Sequence, residues 1–111
     1  AILGTPGGSR IISMVLLGAL QAMDGRPVQE WVARPRFHHQ YLPDQIQIED
    51  SAFTAEQRQA LEQMGHSFRP VGRDYGDMQA LLWDKRRAEV SAASDPRGEG
   101  EARVQQPLRP D

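Results

Sequence analysis

The feature that most constrains the fold is a cluster of turn residues near the start of the chain, residues 4–8, with the sequence GTPGG. Glycine adopts backbone conformations that other residues avoid, so a sharp turn is expected there. A short apolar segment, residues 1–3, precedes the cluster, and apolar side chains spaced by three and four follow it from Ile11 to Met23. This order predicts a strand, a tight turn and an amphipathic helix with Ser9 as its N-cap.

Further turn signals divide the chain after this first helix. Gly25 suits the left-handed position that ends a helix, and Pro27 suits the start of a second short helix that Pro35 ends. Residues 36–41 are predicted to be extended because prolines flank them and aromatic residues favour strands. Residues 45–49, QIQIE, alternate polar and apolar side chains, which predicts a half-buried strand.

A helix signature opens the second half of the chain. Thr54 is followed three residues later by Gln57, and this spacing predicts a capping box in which each side chain satisfies a free backbone N–H group. Ala60, Leu61 and Met64 are the expected buried stripe of the helix.

Extended segments follow this helix. Residues 66–71 contain a proline and are therefore expected at a sheet edge. Residues 78–83 and 88–93 are joined by a charged tip and predict a β-hairpin. Residues 98–111 contain glycine, proline and few large apolar residues, and we predict a disordered tail there. Residues 1–97 are therefore expected to form one structured segment.

Composition excludes several classes of protein. The chain has 111 residues, 13 basic and 15 acidic, with a net charge of −2 and no cysteine. No apolar run reaches the roughly 18–20 residues that cross a bilayer, and scattered arginines do not favour a nucleic-acid partner. Disulfides and thiolate sites are excluded, and we expect no metal and no cofactor.

Because the chain begins with Ala1 in an apolar segment, we interpret it as a fragment or processed product that aggregates or partly unfolds alone.

Gly7 and Gly8 are the best candidates for chemistry. Their amides lie before a helix and carry no side chain, so they can stabilise an anion or a developing oxyanion. The alternative is that the two glycines serve only to permit the tight turn, and the spacing alone favours that structural role.

Other polar residues point to structural roles. His38 and His39 are adjacent on an extended segment and face opposite sides, so they do not suit one metal ion, and a buried histidine with a backbone partner is expected instead. His66 is expected at the surface. Asp95 and Arg97 flank a proline and predict a salt-bridged turn. The aromatic residues are spread singly and are expected in the core: Trp31, Phe37, Tyr41, Phe53, Phe68, Tyr75 and Trp83.

Three blocks of the sequence carry a family resemblance. They are GTPGGSRI at residues 4–11, PRFHHQYLPD at 35–44 and ASDPR at 93–97. In order and spacing they resemble the C-terminal part of the small subunit of gamma-glutamyltransferases, over about residues 1–102. The resemblance implies part of the αββα sandwich of N-terminal nucleophile hydrolases. It also implies that Gly7 and Gly8 form the oxyanion hole and contact the substrate.

The resemblance also implies a divided active site. In this family the nucleophilic Thr and the residues that hold the glutamyl group lie upstream of these blocks, so we expect this chain alone to be inactive. The implied partners are the rest of the small subunit, the large subunit and a small gamma-glutamyl substrate such as glutathione. Relatives imply a periplasmic or secreted location. A related acylase with another acyl specificity and a non-catalytic interaction domain remain alternatives.

Overall fold

The computed structural model describes residues 1–106, which form two three-stranded sheets and three α-helices. The elements in chain order are β1 (Ile2–Gly4), a 3-10 helix (Gly8–Arg10), α1 (Ile11–Met23), α2 (Val28–Ala33), β2 (Phe37–His38), β3 (Ile46–Ile48), α3 (Ala55–Gln63), β4 (Phe68–Pro70), β5 (Gln79–Asp84) and β6 (Glu89–Ser94). The first sheet is antiparallel with the order β1-β5-β6, and the second has the order β2-β3-β4. This arrangement confirms the predicted α+β class.

The start of α1 differs from the prediction. Ser9 lies inside the 3-10 helix, makes no capping hydrogen bond and donates its Oγ–H to Gln40 Oε1 at 3.0 Å. The N-cap position of α1 belongs to Arg10. Gly7 and Gly8 have φ angles of +151° and +59°, so the chain turns into a helical path before it reaches Ser9. The prediction of Ser9 as N-cap is therefore wrong, because the glycine turn starts the helical path.

The signals that end α1 and bound α2 are confirmed. Gly25 has a φ of +70°, and the N–H of Arg26 donates to Gln21 O at 3.0 Å, which closes a Schellman motif. Pro27 occupies the N-cap of α2, and that helix ends at the second residue before Pro35. The short connection lets both helices pack on the same side of the first sheet.

The main core lies between the first sheet and these two helices. Its buried side chains are Met14, Val28, Trp31, Val32, Met78, Ala80 and Ala93. Ala80 and Ala93 are cross-strand partners in the β5–β6 hairpin, and their small side chains leave room for the helices. The indole N–H of Trp31 donates to Arg26 O at 2.7 Å, so burial leaves no orphan donor there.

The second sheet has one apolar and one polar face. Both isoleucines of β3 are buried and Gln47 between them is half-buried, which confirms the predicted alternation. β4 lies at the sheet edge, as predicted, and the structure shows that it pairs in parallel with β3. On the apolar face the ring centroids of Phe37 and Phe53 lie 4.9 Å apart, and those of Phe53 and Phe68 lie 5.9 Å apart. Gln47 lies on the opposite face, toward the start of the chain.

At α3 one prediction is confirmed and one is wrong. Thr54 Oγ1 accepts the Gln57 N–H at 3.2 Å, and Gln57 Oε1 accepts the Thr54 N–H at 2.9 Å, so the capping box is present. The predicted buried stripe is absent from this helix as the structure describes it, since Ala60 and Met64 are exposed and Leu61 is only half-buried. A capping box depends on local contacts, whereas burial depends on a partner surface.

The first sheet has an apolar face that the helices do not cover. Ile2, Leu81 and Ala92 lie side by side across its three strands, and Trp83 lies opposite Val90. Ile2 is 71% exposed and Trp83 is 59% exposed. An exposed apolar patch of this kind on a sheet is typical of a surface that another layer covers.

Two aromatic residues therefore depart from the expected core positions. Trp83 lies on the uncovered face, where Lys85 Nζ sits 5.2 Å from its ring centroid. Tyr41 is 77% exposed in the loop before β3. The prediction that all seven aromatic residues are buried in the core is wrong for these two.

The end of the chain is only partly described. Residues 98–106 contain no helix or strand, and residues 107–111 lie outside the described residues. The disordered tail from residue 98 and the single segment over residues 1–97 both stay predictions. Within the described part of the chain, no helix has the length and apolar character needed to cross a membrane.

We predict that the uncovered face makes the isolated chain self-associate. Replacing Ile2 and Trp83 together by Thr removes two large apolar side chains, each of which stabilises an association by about 1.5–3 kcal/mol when buried. We expect the double change to weaken association at least about tenfold, measured by analytical ultracentrifugation, whereas Tyr41→Thr, on the loop, leaves it unchanged. A parent chain that sediments as a monomer and binds no hydrophobic dye would contradict this prediction.

Candidate functional site

The Gly7-Gly8 turn connects β1 to the helical segment that becomes α1. Both glycines are exposed, and both have backbone conformations in which a side chain is strained. Within residues 1–106 neither amide N–H donates a hydrogen bond to another protein group. The turn therefore presents two consecutive N–H groups without internal partners, which is the arrangement that an oxyanion hole requires.

The turn rests on a fully buried methionine. A Cβ atom on Gly7 would lie 2.5 Å from Met14 Cε, and one on Gly76 would lie 2.5 Å from Met14 Sδ. Thr5 adds a polar link, since its Oγ1 accepts the Asp77 N–H at 3.1 Å. The absence of a side chain at Gly7 thus has a packing reason as well as a chemical one.

A cavity with a volume of about 510 Å³ lies next to this turn. Arg10, the last residue of the 3-10 helix, lines it together with residues of β4 and of the loop after β4. Gly7 and Gly8 are not among its lining residues. The two candidate amides therefore lie beside this cavity and do not line it.

A buried network of ion pairs lies behind the turn and connects the two sheets. Arg36 is 2% exposed, and its Nη2 donates to Asp95 Oδ2 at 2.5 Å and to Val32 O at 3.1 Å. Its Nη1 donates to Tyr75 O at 2.5 Å. Asp95, directly after β6, also accepts the Met78 N–H at 2.8 Å. Arg36 and Asp95 thus tie the end of α2 to the end of the hairpin.

Arg97 and Glu49 complete the network. The Nε and Nη2 groups of Arg97 donate to the two Glu49 oxygens at 2.8 and 2.6 Å, and its Nη1 donates to Asp95 Oδ1 at 3.0 Å. Glu49 also accepts the Arg36 N–H at 2.7 Å. Two guanidinium and two carboxylate groups balance each other, and both carboxylates are buried. The predicted Asp95–Arg97 salt bridge is confirmed, as part of a larger network.

These contacts set the ionisation of Asp95. Burial raises the pKa of its carboxyl group, but hydrogen bonds from the Met78 and Arg97 N–H groups and from both guanidinium groups outweigh burial and lower the pKa below 3.8. Asp95 is therefore charged at neutral pH, and its charge is needed to balance Arg36.

The histidines do not form a metal site in the described residues, where no group of three His, Cys, Asp or Glu residues could hold an ion. His38 is buried, with Nδ1 2.7 Å from Ser13 Oγ and Nε2 2.9 Å from Gln40 Oε1. Its partners are side chains rather than the expected backbone group. His39 lies 2.8 Å from Asp44 Oδ1 near the surface, and His66 is exposed as expected.

Sequence reasoning missed the roles of Arg36, Glu49 and Met14. Neither helical nor strand periodicity points to a buried arginine or glutamate, and the partner of Arg36 lies 59 residues away. The contact of Met14 with Gly7 has no signal in the sequence either, because the first turns of α1 hold several large apolar side chains and nothing singles out Met14.

The comparison with known families decides the identity of this fold. The gamma-glutamyltranspeptidase family model matches residues 1–105. The chain belongs to the gamma-glutamyltranspeptidase family. The glutathione hydrolase proenzyme of Pseudomonas aeruginosa is 37% identical over 109 residues, which cover 96% of this chain and 19% of that protein. The chain thus spans about a fifth of this curated relative.

Solved structures agree with this assignment. A highly active mutant of gamma-glutamyltranspeptidase from Pseudomonas nitroreducens superposes with a TM-score of 0.84 and 37% identity, covering 95% of this chain and 55% of that one. The match confirms the predicted fold, part of the αββα sandwich of N-terminal nucleophile hydrolases. Cephalosporin acylase from Bacillus halodurans matches with a TM-score of 0.83 at 22% identity, covering 96% of this chain and 20% of that one, and shares the fold alone.

We predict that Asp95→Asn strongly destabilises the gamma-glutamyltranspeptidase fold. Loss of one partner of a buried ion pair costs about 3–5 kcal/mol, because Arg36 keeps its charge. The measurement is thermal unfolding of a chimaera in which this chain replaces the matching segment of the Pseudomonas aeruginosa proenzyme. The exposed residue Asp50 provides the control, since Asp50→Asn is expected to change stability by less than about 0.5 kcal/mol.

The Asp95 carboxylate makes the stability of the fold depend on pH. Because the pKa of Asp95 is lower in the folded state than its usual value of 3.8, its contribution to stability is present above that value. The contribution is lost as the pH falls through the folded-state pKa. We expect the stability difference between the parent chimaera and Asp95→Asn to shrink in acid. A difference that stays constant below pH 3.8 would refute the assignment.

The Tyr75 phenol makes the stability of the fold depend on pH in the alkaline range. Burial, and then the negative charge of Glu49, raise the pKa of its phenol to about 12, and its hydroxyl is buried without a hydrogen-bond partner in the described part of the chain. The folded state favours the protonated phenol, so the contribution of Tyr75 to stability is present below the usual pKa of 10.0. This contribution is lost as the pH rises toward 12. We expect Tyr75→Phe to leave stability equal or higher at neutral pH and to remove this alkaline loss. Thermal unfolding at several pH values checks it, with Tyr41→Phe as control.

Proposed function

We propose that this segment serves an enzyme that hydrolyses or transfers the gamma-glutamyl group of glutathione and related gamma-glutamyl amides. The relative from Pseudomonas aeruginosa is named a glutathione hydrolase proenzyme, which supports this substrate class. In the proposal Gly7 and Gly8 form the oxyanion hole. The observation that carries it is the pair of adjacent amide N–H groups that have no acceptor among the described residues.

The proposed chemistry divides the work between this segment and the rest of the enzyme. A nucleophile from outside the segment attacks the gamma-carbonyl carbon, and the carbonyl oxygen gains negative charge. The Gly7 and Gly8 N–H groups donate to that oxygen, and the developing charge lies near the start of the helical segment. The amine then leaves, and water or an acceptor amine takes the acyl group from the nucleophile.

The nucleophile is not provided by the threonines of this segment. Thr5 Oγ1 is engaged with the Asp77 N–H and with Pro6 O, and Thr54 Oγ1 caps α3. Neither is N-terminal, whereas a threonine nucleophile of this class uses a free α-amine as its base. We therefore propose that the segment alone is inactive and works with the remainder of the small subunit and the large subunit.

Two other functions stay open as proposals. An acylase that acts on another acyl amide would keep the same turn, and the fold match to cephalosporin acylase is compatible with that class. A non-catalytic interaction domain would use the turn only for packing, and the contact of Gly7 with Met14 supplies such a reason. The rates on a gamma-glutamyl anilide and on a non-glutamyl amide separate these possibilities. A periplasmic or secreted location is proposed from the family resemblance.

We predict that removing the Gly8 N–H lowers turnover of a gamma-glutamyl anilide. In the chimaera, glycolic acid in place of Gly8 converts the amide to an ester and removes one donor. We expect kcat to fall about 10²–10³-fold with little change in KM, as for loss of one oxyanion donor.

Two controls accompany this replacement. The same ester at Gly72, in the loop after β4, should leave kcat unchanged. Gly8→Ala keeps the donor, and its Cβ meets open space, so a smaller loss is expected despite the φ of +59°. Full activity of the Gly8 ester would show that the turn is only structural.

A further inference from the structure

Two side chains that the proposed reaction does not use contact the helical segment after the glycine turn. The Oγ–H of Ser9, the residue directly after Gly8, donates to Gln40 Oε1 at 3.0 Å. About one turn further along the segment, Ser13 Oγ lies 2.7 Å from His38 Nδ1. The start of the segment is therefore linked by polar side chains to β2 and to the loop after it.

A single acceptor joins these two links. Gln40 Oε1 accepts the Ser9 hydroxyl proton and also lies 2.9 Å from His38 Nε2. The NH₂ group of Gln40 donates to Leu42 O at 3.1 Å, which fixes the orientation of the amide. Since an amide oxygen can only accept, His38 Nε2 carries the proton of their hydrogen bond, and Nδ1 of the uncharged ring accepts the Ser13 hydroxyl proton. One continuous chain of hydrogen bonds thus runs from Ser13 to Ser9.

His38 gives this chain of hydrogen bonds a fixed base. It is 4% exposed, and its backbone is paired with Gln47 in the second sheet. A serine hydroxyl is one rotatable bond away from the main chain, so a hydrogen bond to Ser9 restrains the backbone closely. Arg10 also donates to Gln47 Oε1, at 2.9 and 2.6 Å, but its long side chain has more rotatable bonds and restrains the backbone less. The link at Ser9 therefore acts most directly on the backbone beside Gly8.

The glycine turn needs such a restraint. Glycine has a wide range of accessible backbone angles, and two glycines follow each other here. Neither amide N–H donates to a protein group within residues 1–106, so their orientation depends on what holds the two ends of the turn. The first sheet holds the end before the turn, through the pairing of β1 with β5. An oxyanion donor is effective only when it is oriented before the charge develops, so the end after the turn has to be held as well.

We propose that His38 and Gln40 position the Gly8 N–H group for the oxyanion, with Ser9 as the point of contact. Gln40 holds the residue that directly follows Gly8, and His38 holds Gln40. Both are positioning residues, which act through Ser9 and not on the substrate. This inference rests on the proposed function and assigns two further residues to it.

The first test removes the contact at an exposed position. In the chimaera, Ser9→Ala deletes the hydroxyl group, and we expect kcat for a gamma-glutamyl anilide to fall about threefold to tenfold, as loss of one hydrogen bond allows. KM should change little, because the substrate itself loses no contact. Ser9→Thr keeps a hydroxyl group and should restore kcat. Ser51→Ala changes another exposed serine and should leave kcat unchanged.

The second test asks whether the effect passes through the Gly8 amide. Gln40→Met keeps the length of the side chain but removes the acceptor for Ser9 and His38, so we expect a larger fall in kcat than for Ser9→Ala. When glycolic acid replaces Gly8, the positioned N–H group is gone, and Gln40→Met should then lower kcat by a factor close to one. An equal factor with and without the ester would show that Gln40 acts elsewhere, and would overturn the inference.

The Gly8 ester alone separates failure of this inference from failure of the proposed function. If the ester lowers kcat while Ser9→Ala and Gln40→Met do not, the positioning assignment is wrong and the proposed oxyanion hole stands. If the ester keeps full activity, the oxyanion hole is wrong and the positioning assignment falls with it. Thermal unfolding of each variant shows whether a loss of kcat reflects a loss of folded protein, which the ester comparison would not cancel.

Discussion

The ion-pair network of Arg36, Glu49, Asp95 and Arg97 is the interaction on which the rest of the structure depends. It lies where the two small sheets and α2 meet, and neither sheet is large enough to bury a core alone. Removing four charges from water is costly unless each is paired and hydrogen-bonded. Here the charges sum to zero, and the carboxylates also accept backbone N–H groups of Arg36, Met78 and Arg97. The network thus fixes the relative position of chain segments that are far apart in sequence.

The network extends to the glycine turn through direct contacts. Arg36 Nη1 donates to Tyr75 O, and a Cβ on the next residue, Gly76, would lie 2.7 Å from that same nitrogen. Gly76 also borders Met14 Sδ, and Met14 Cε fills the space beside Gly7. A displacement of Arg36 would therefore be transmitted through close-packed atoms to the amides of the turn, because a packed interior has little free space to absorb it. The buried charges contribute to the candidate site by positioning, at a distance from any reacting atom.

The sequence predicted those features that depend on a few neighbouring residues. The capping box of Thr54 and Gln57 and the helix end at Gly25 were correct because their hydrogen bonds close within a single turn. The Gly7-Gly8 turn was also predicted, since glycine adopts positive φ angles such as those found there more readily than other residues. Ser9 was misassigned because the turn had already started the helical path when the chain reached it.

Features that depend on distant partners were not predictable in the same way. Met64 has helical spacing for burial, but burial requires a surface that the described chain does not place there. Arg36 has no periodicity that marks it as buried, and only the folded chain brings it to Asp95. The link from Ser9 to Gln40 likewise joins residues 31 positions apart, which no local pattern in the sequence connects. The glycine turn of the candidate site could thus be predicted from the sequence, whereas the buried residues that position it could not.

The two incomplete surfaces of this segment have a common physical reason under the proposed function. β1 is an edge strand of the first sheet in the described residues, and the apolar face next to it is uncovered. A strand edge and an apolar face both lower their free energy when another strand and another layer pack against them. The glycine turn directly follows β1, so any chain that completes this edge approaches the Gly7 and Gly8 amides. Completing the sandwich would therefore enclose the turn and exclude water from it, which strengthens the electrostatic stabilisation of an oxyanion.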